Sequence, residues 1–223
     1  MTSAGTKISV KKKWRVIIWL GVAALVVLIA GAIKVRLTGA PLFGVLDAAV
    51  FRAINHGLAN PFFDHIMPAL SNFDIFYYLT TIVLIVLLVM KQWRRAGVFI
   101  LFFGLSFFLS TPVKRLAHLD RPFVTMPDAR IHDSKTGDYE TGGKSREVAS
   151  SSSYPSGHAW LSFYYAGFFW GIAWLGYIFT PWAVLIALSR LQLGVHYPSD
   201  LLVGGLLGFW LGRLVAALSK GRS

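Results

Sequence analysis

Residues 150–160 read SSSSYPSGHAW, and residues 161–179 read LSFYYAGFFWGIAWLGYIF. A serine run, a Pro-Ser-Gly turn and a histidine stand directly against an almost wholly apolar stretch. Such a stretch suits a bilayer, whose hydrocarbon core takes about 20 apolar residues per helix. The membrane has no use for the polar entry, so that entry calls for a chemical explanation.

The rest of the chain supports the membrane reading. Of 223 residues, 55% are hydrophobic and only 14% charged, with a mean hydropathy of +0.58. A soluble domain carries roughly a quarter charged residues. Apolar runs at roughly 16–33, 73–90, 96–113, 159–176, 178–195 and 199–218 predict an all-α polytopic protein, a six-helix transmembrane bundle forming one domain over 1–223. Cysteine is absent, which excludes disulfides and thiolate metal sites.

The net charge of +12 raises the question of nucleic acid, and its distribution answers it. With the N-terminus inside, the inner segments hold Lys7, Lys11, Lys12, Lys13, Arg15, Lys91, Arg94, Arg95, Arg213, Lys220 and Arg222 and no carboxylate. Outside, the ten carboxylates lie among the other eleven basic residues. The basic count ties between the sides, but five basic residues precede the first apolar run and only Lys34 and Arg36 closely follow it. The excess charge is therefore a topology signal, N-in and C-in, and no nucleic-acid partner is expected. A cleaved signal peptide ending near Ala30-Gly31-Ala32 is the competing reading of 1–33. Its apolar run is long for a signal, and basic residues follow at once.

Between the first two runs, LFGVLDAAVFRAINHGL (42–58) puts Leu46, Ala49, Val50, Ala53 and Ile54 at helical spacing, predicting a short interfacial helix. Residues 114–158 form the longest polar segment. Their middle lacks apolar periodicity and reads as a long extracytoplasmic loop that includes the four serines. Gly204, Gly208 and Gly212 repeat every four residues, a smooth face for close helix packing.

Several polar residues resist a bland reading. Arg190, in AVLIALSRLQLGV, lies in or near the end of a membrane helix. An arginine at a helix centre costs about 2.5–3.5 kcal/mol on insertion scales, so it either snorkels to the interface or holds an anion inside the bundle. His196 and Asp200 follow in HYPSDLLVGG. Asp200 suits a helix start, and a short turn also brings its carboxylate to the imidazole to fix the tautomer. In VKRLAHLDRPF, Lys114 and Arg121 are two helical turns apart and share a face only if the helix runs on, which Pro122 opposes. Arg115 reads as headgroup-facing. Ser156 caps the next helix or binds an anion there, Gly157 lets backbone approach a ligand, and His158 stands at the rim. His56, His65, His118 and His132 have no comparable company.

Three cations, a helix-start anion site, two histidines and one carboxylate fit phosphoryl transfer through a phosphohistidine. His196 is the expected nucleophile, Asp200 orients it, and His158 protonates the leaving oxygen. Lys114, Arg121, Ser156, Gly157 and Arg190 hold the phosphoryl oxygens. No ligand cluster suggests a metal, and no cofactor is expected.

This pattern resembles the type 2 phosphatidic acid phosphatase superfamily, which also includes vanadium haloperoxidases and bacterial acid phosphatases. KRLAHLDRP (114–122) matches its K-x6-RP element, SYPSGH (153–158) its PSGH element and SRLQLGVHYPSD (189–200) its SR-x5-H-x3-D element. The resemblance implies a six-helix membrane phosphatase acting on a lipid phosphate or diphosphate at the outer face of a bacterial inner membrane. Its implied substrates are undecaprenyl diphosphate, phosphatidylglycerol phosphate, phosphatidate and lipid A 1-phosphate, with substrate choice placed in the loop 123–152. Transfer to a lipid acceptor uses the same histidine. Binding or transport of an anionic lipid is the reading from another class, and it has no need of His196 or Asp200.

Overall fold

The structure is a computed structural model describing residues 10–141 and 152–219. Lys7, Lys220, Arg222, Ser150, Ser151 and loop residues 142–151 lie outside the described residues. The elements are α1 (Val10–Thr38), α2 (Val45–Gly57), α3 (Pro61–Leu70), α4 (Asp74–Val89), α5 (Trp93–Ala117), α6 (Pro122–Thr125), β1 (Arg130–His132), β2 (Tyr139–Thr141), α7 (Gly157–Phe169), α8 (Ala173–Gln192) and α9 (Pro198–Leu218).

Each of the six expected spans overlaps a helix, but the run 159–176 crosses the break at 170–172 between α7 and α8, and the helices differ in their capacity to cross a bilayer. Among the described residues, four are long and apolar enough, starting at Trp14, Trp93, Trp174 and Pro198. A fifth forms if α3 and α4, bent by 49° across Ser71, count as one span. With 13 residues, α7 is too short by this measure. It is also buried along almost its whole length, from Ala159 to Phe169. The lipid-facing surface belongs to its neighbours, where Trp19, Ile82, Phe108 and Ile178 are exposed. A contiguous apolar exterior of this kind marks contact with lipid.

The core of the bundle is the crossing of α7 and α9. A Cβ at Gly204 would lie 2.5 Å from Ser156 O, at Gly208 1.9 Å from Trp160 O, and at Gly212 2.1 Å from Tyr164 O. The glycine face of α9 therefore rests on the backbone of α7, as its spacing predicts. Gly167 answers from the other side, where a Cβ would lie 2.1 Å from Phe209 O. Below this crossing, Phe76, Phe99, Phe103, Tyr164, Tyr165 and Phe168 fill an aromatic core. On the far flank α1 buries Ala24, Leu28, Ala32 and Val35, and Ile17 O accepts a hydrogen bond from Trp210 Nε1.

The interfacial helix is present as α2, with its faces used in an unexpected way. Leu46 and Val50 are exposed, and the side turned to the protein carries Asp47, Phe51 and Asn55. Asp47 accepts from Ser199 N and Oγ, both at 2.8 Å, so it secures the start of α9. Asn55 donates to Leu191 O and Gln192 O at the end of α8 and accepts from Arg130 N. The apolar periodicity gives the helix but not the partner of each face. Buried polar groups must find bonds, and these two find them across the chain.

The all-α expectation needs one correction. Part of the long polar segment is a short hairpin in which Arg130, Ile131 and His132 pair antiparallel with Thr141, Glu140 and Tyr139. Strands of three residues are too short to show a two-residue alternation. The hairpin docks through side chains: Arg130 Nη2 donates to Asp64 Oδ2, Gln192 Nε2 to Asp64 Oδ1, and Tyr139 OH to Gln192 Oε1. Gly194, with φ +79, has only 2.1 Å between its would-be Cβ and Arg130 O, so only glycine fits the turn beneath the hairpin.

The glycine crossing yields a direct test. Gly208→Ala should lower the stability of detergent-solubilised protein by at least about 1–3 kcal/mol, the range for overpacking. Gly104→Ala, where a Cβ meets nothing within 4 Å, should cost nothing. Thermal unfolding of the two variants makes the comparison; equal midpoints would show that α7 does not rest on this face.

Candidate active site

All three sequence motifs converge at one end of the bundle, where α5 and α8 finish and α7 and α9 begin. A cavity of about 220 Å³ there is lined by Lys114, Arg121, Gly157, His158, Arg190 and His196, with Phe73, Phe107 and Leu161 on its apolar side. Of the expected site residues, only Ser156 and Asp200 are absent from this lining; both are fully buried behind it.

Lys114 reaches the cavity from the last turn of α5, and its Nζ donates to Ser152 O at 3.0 Å. Arg121 comes from another direction. The helix stops at Ala117, His118 takes a left-handed conformation (φ 47), and Arg121 is the residue that enters α6. The two cations share a cavity but no helical face. Arg115 is exposed on the bundle surface, as its headgroup reading requires.

Arg190 lies inside the bundle and does not snorkel. Its Nη1 donates to Ser71 Oγ at 2.8 Å, and its buried Nε has no partner among the described residues. A buried donor without an acceptor is rare in native proteins and suits a ligand oxygen.

Ser156 is the N-cap of α7, its Oγ accepting from Ala159 N at a long 3.5 Å. Its own N–H donates to Asp200 O at 3.1 Å, so PSGH and HxxxD are stitched together through backbone. A Cβ at Gly157 would meet nothing within 4 Å, which leaves open space at the cavity edge. His158 packs edge-on against Phe73 and Phe76, with ring centroids 5.1 and 5.7 Å away. Its Nε2 lies 3.0 Å from Ser71 O. A carbonyl only accepts, so this nitrogen carries the proton.

His196 occupies the turn between α8 and α9. Burial, and then the positive charges of Arg121, Arg190 and Lys114, hold its pKa well below the ordinary imidazole value, which keeps the ring neutral with a free lone pair. Asp200 Oδ2 accepts from Tyr197 N at 2.9 Å, the capping role, and lies 3.5 Å from His196 Nδ1, the orienting role. One oxygen of Asp200 thus caps the start of α9 and faces the imidazole. The 3.5 Å gap is longer than a normal hydrogen bond, although catalytic bonds are often long before charge develops and then tighten.

Two serines escaped the sequence reading. Ser153 is fully buried between Asp200 and His196, where a loop had been expected. Ser71, at the bend between α3 and α4, holds Arg190 through its hydroxyl and His158 through its carbonyl, and its Oγ also pairs with Ser189 Oγ at 2.7 Å. Its signal was weak, because a serine beside Asn72 reads simply as a helix break.

Hydrogen bonds to charged groups contribute about 1.5–3 kcal/mol. Ser71→Ala should therefore weaken binding of orthovanadate, a phosphate mimic, by about tenfold or more in titration calorimetry. Unchanged affinity would show that Arg190 needs no such brace.

Comparison with known proteins places this geometry. Residues 95–223 match the family model described as PAP2 superfamily. YbjG of Escherichia coli (strain K12), provisionally named an undecaprenyl-diphosphatase, is 35% identical over 117 residues, 52% of each chain. The undecaprenyl-diphosphatase of Sulfolobus acidocaldarius is 30% identical over 128 residues, 56% of each. The chain thus spans about half the length of the curated relatives it matches. In fold it is similar to the PAP2-type phosphatidylglycerolphosphate phosphatase of Bacillus subtilis, with a TM-score of 0.67, 22% identity, and 88% of this chain and 94% of that one covered. The family model takes in more than half of the chain, and the three motifs it contains meet at one cavity: this is a multi-pass helical membrane protein belonging to the PAP2 superfamily.

Proposed function

We propose that the chain is a membrane lipid phosphatase that hydrolyses a lipid phosphate or diphosphate through a phosphohistidine, with undecaprenyl diphosphate the first substrate to test. One observation carries this reading: Lys114, Arg121 and Arg190 surround the same small cavity as His158 and His196. Three cations suit a phosphoryl group, and two histidines supply what binding alone does not need. The substrate preference is supported by the two relatives of 35% and 30% identity, which carry undecaprenyl-diphosphatase names.

In the proposed mechanism, the Nε2 lone pair of neutral His196 attacks phosphorus as the bond to the lipid oxygen breaks. The anionic substrate offsets the three cations and favours a second proton on His158 Nδ1, and that proton goes to the leaving oxygen. Lys114, Arg121 and Arg190, with Ser156 and Gly157 at the start of α7, stabilise the charge on the phosphoryl oxygens. Water then attacks the phosphohistidine, His158 recovers a proton, and phosphate leaves. The step as proposed draws its charge stabilisation from the three cations around the cavity and calls for no metal ion.

The proposed setting is the cytoplasmic membrane of a bacterium, with six crossings, both termini inside and the cavity facing out. Lys91, Arg94, Arg95 and Arg213 fall at the end of the bundle opposite the cavity, in keeping with the bias of inner segments toward basic residues. The sixth crossing is α7, whose enclosure by other helices relaxes the length that lipid imposes on an exposed span.

Purified protein should release phosphate from at least one of a panel comprising undecaprenyl diphosphate, phosphatidylglycerol phosphate, phosphatidate and lipid A 1-phosphate. His196→Ala should remove that release by about 10⁴-fold or more while leaving the thermal midpoint unchanged. Substantial residual turnover would sink the nucleophile assignment. Activity should persist in chelators and fall with vanadate, whereas strict dependence on Mg²⁺ would count against this mechanism.

A further inference from the structure

The histidine–carboxylate pair of this site is not in direct hydrogen-bond contact. His196 Nδ1 and Asp200 Oδ2 are 3.5 Å apart, and the space beside them holds the hydroxyl of Ser153. Ser153 Oγ donates to Asp200 Oδ2 at 2.5 Å and stands 3.4 Å from His196 Nδ1. A hydroxyl has one proton and two lone pairs, so a serine whose proton is committed to a carboxylate faces the imidazole as an acceptor.

We infer that Ser153 is a positioning residue for His196, accepting the Nδ1–H and passing the charge of Asp200 to the ring. This deepens the phosphohistidine reading and rests on it. Accepting at Nδ1 leaves the proton there and the lone pair on Nε2, the nitrogen proposed to form the bond to phosphorus. When that bond forms, the ring gains a positive charge while Nδ1 keeps its proton. The serine oxygen, polarised by the carboxylate it donates to, then stabilises the charge without any proton leaving the ring.

The placement of Ser153 is rigid. Its N–H donates to Leu119 O at 2.8 Å, while Ser152 Oγ accepts from Leu119 N at 2.9 Å and Ser152 O receives Lys114. The pair 152–153 is thus pinned to the end of the first motif, and Ser153 reaches from there into the third. Asp200 needs the contact, since its Oδ1 is buried without a partner among the described residues and all its described bonds fall on Oδ2. Ser153 is also fully buried, so no surface role competes for it.

A double-mutant cycle with Asp200→Asn tests this on the lipid that the wild type hydrolyses best. Ser153→Ala should lower kcat by about 10- to 100-fold, the range seen when a group that orients a reacting ligand is lost, with KM within about twofold. In the Asp200→Asn background the same change should cost less than about threefold, because the relay is already broken. A purely structural serine would cost the same in both backgrounds, and that result, or an unchanged kcat, overturns the proposal. Nitrogen NMR of histidine-labelled protein, with His196 assigned by its loss in His196→Gln, judges the serine without turnover. The wild type should show an Nδ1-protonated ring that becomes a tautomer mixture in Ser153→Ala; an unmoved signal overturns the role. A wild-type protein that releases no phosphate from any lipid would sink the phosphatase reading, and the NMR result would still stand for or against Ser153.

Discussion

The contact on which the site depends is backbone against backbone, where the glycine face of α9 lies on α7. At Gly204 and Gly208 the separation leaves no room for a single methyl group. Bilayers supply little hydrophobic drive between helices, so packing of this closeness has to bring them together. Its consequence lies one turn above the crossing, where Ser156 N donates to Asp200 O and His158 and His196 come to line one cavity. A larger residue on this stripe would separate two motifs that act as one.

Around that crossing the polar groups form a set of braces. Asp47 secures the start of α9, Asn55 the end of α8, and Ser71 both Arg190 and His158. Buried polar atoms without partners cost about 1–3 kcal/mol each, so every brace also fixes the orientation of what it holds. Three cations in one cavity repel each other and favour whatever anion enters. The site is therefore strained electrostatically and restrained mechanically, a combination suited to binding a phosphoryl group as its charge redistributes.

Much of this was legible along the chain. Lys114, Arg121, Gly157, His158, Arg190 and His196 were named from spacing and residue chemistry, and the structure brings all of them to one cavity. The glycine repeat announced its packing face. Less was visible where a residue acts through a distant partner. Asp47 and Asn55 lie off the apolar positions that mark their helix, and their targets lie 152 and 136 residues away. Ser153 was one of four serines in a loop, and Ser71 stood at a helix break.

The sequence by itself determined that the chain is a helical membrane protein and which cations and histidines stand beside its apolar runs. Hydropathy and charge act locally along the chain, and a cation or histidine beside an apolar run must be accounted for where it stands. Only the tertiary structure decided that Ser153 lies between Asp200 and His196, that Ser71 braces two motifs, that a hairpin covers the His196 turn, and that α2 turns Asp47, Phe51 and Asn55 to the protein. Those facts depend on which backbones approach within a few ångströms, and spacing along a chain does not encode that distance. SSSSYPSGHAW thus resolves into Ser152 and Ser153, pinned to the first motif, Ser156 capping a helix, and His158 at the cavity they help to build.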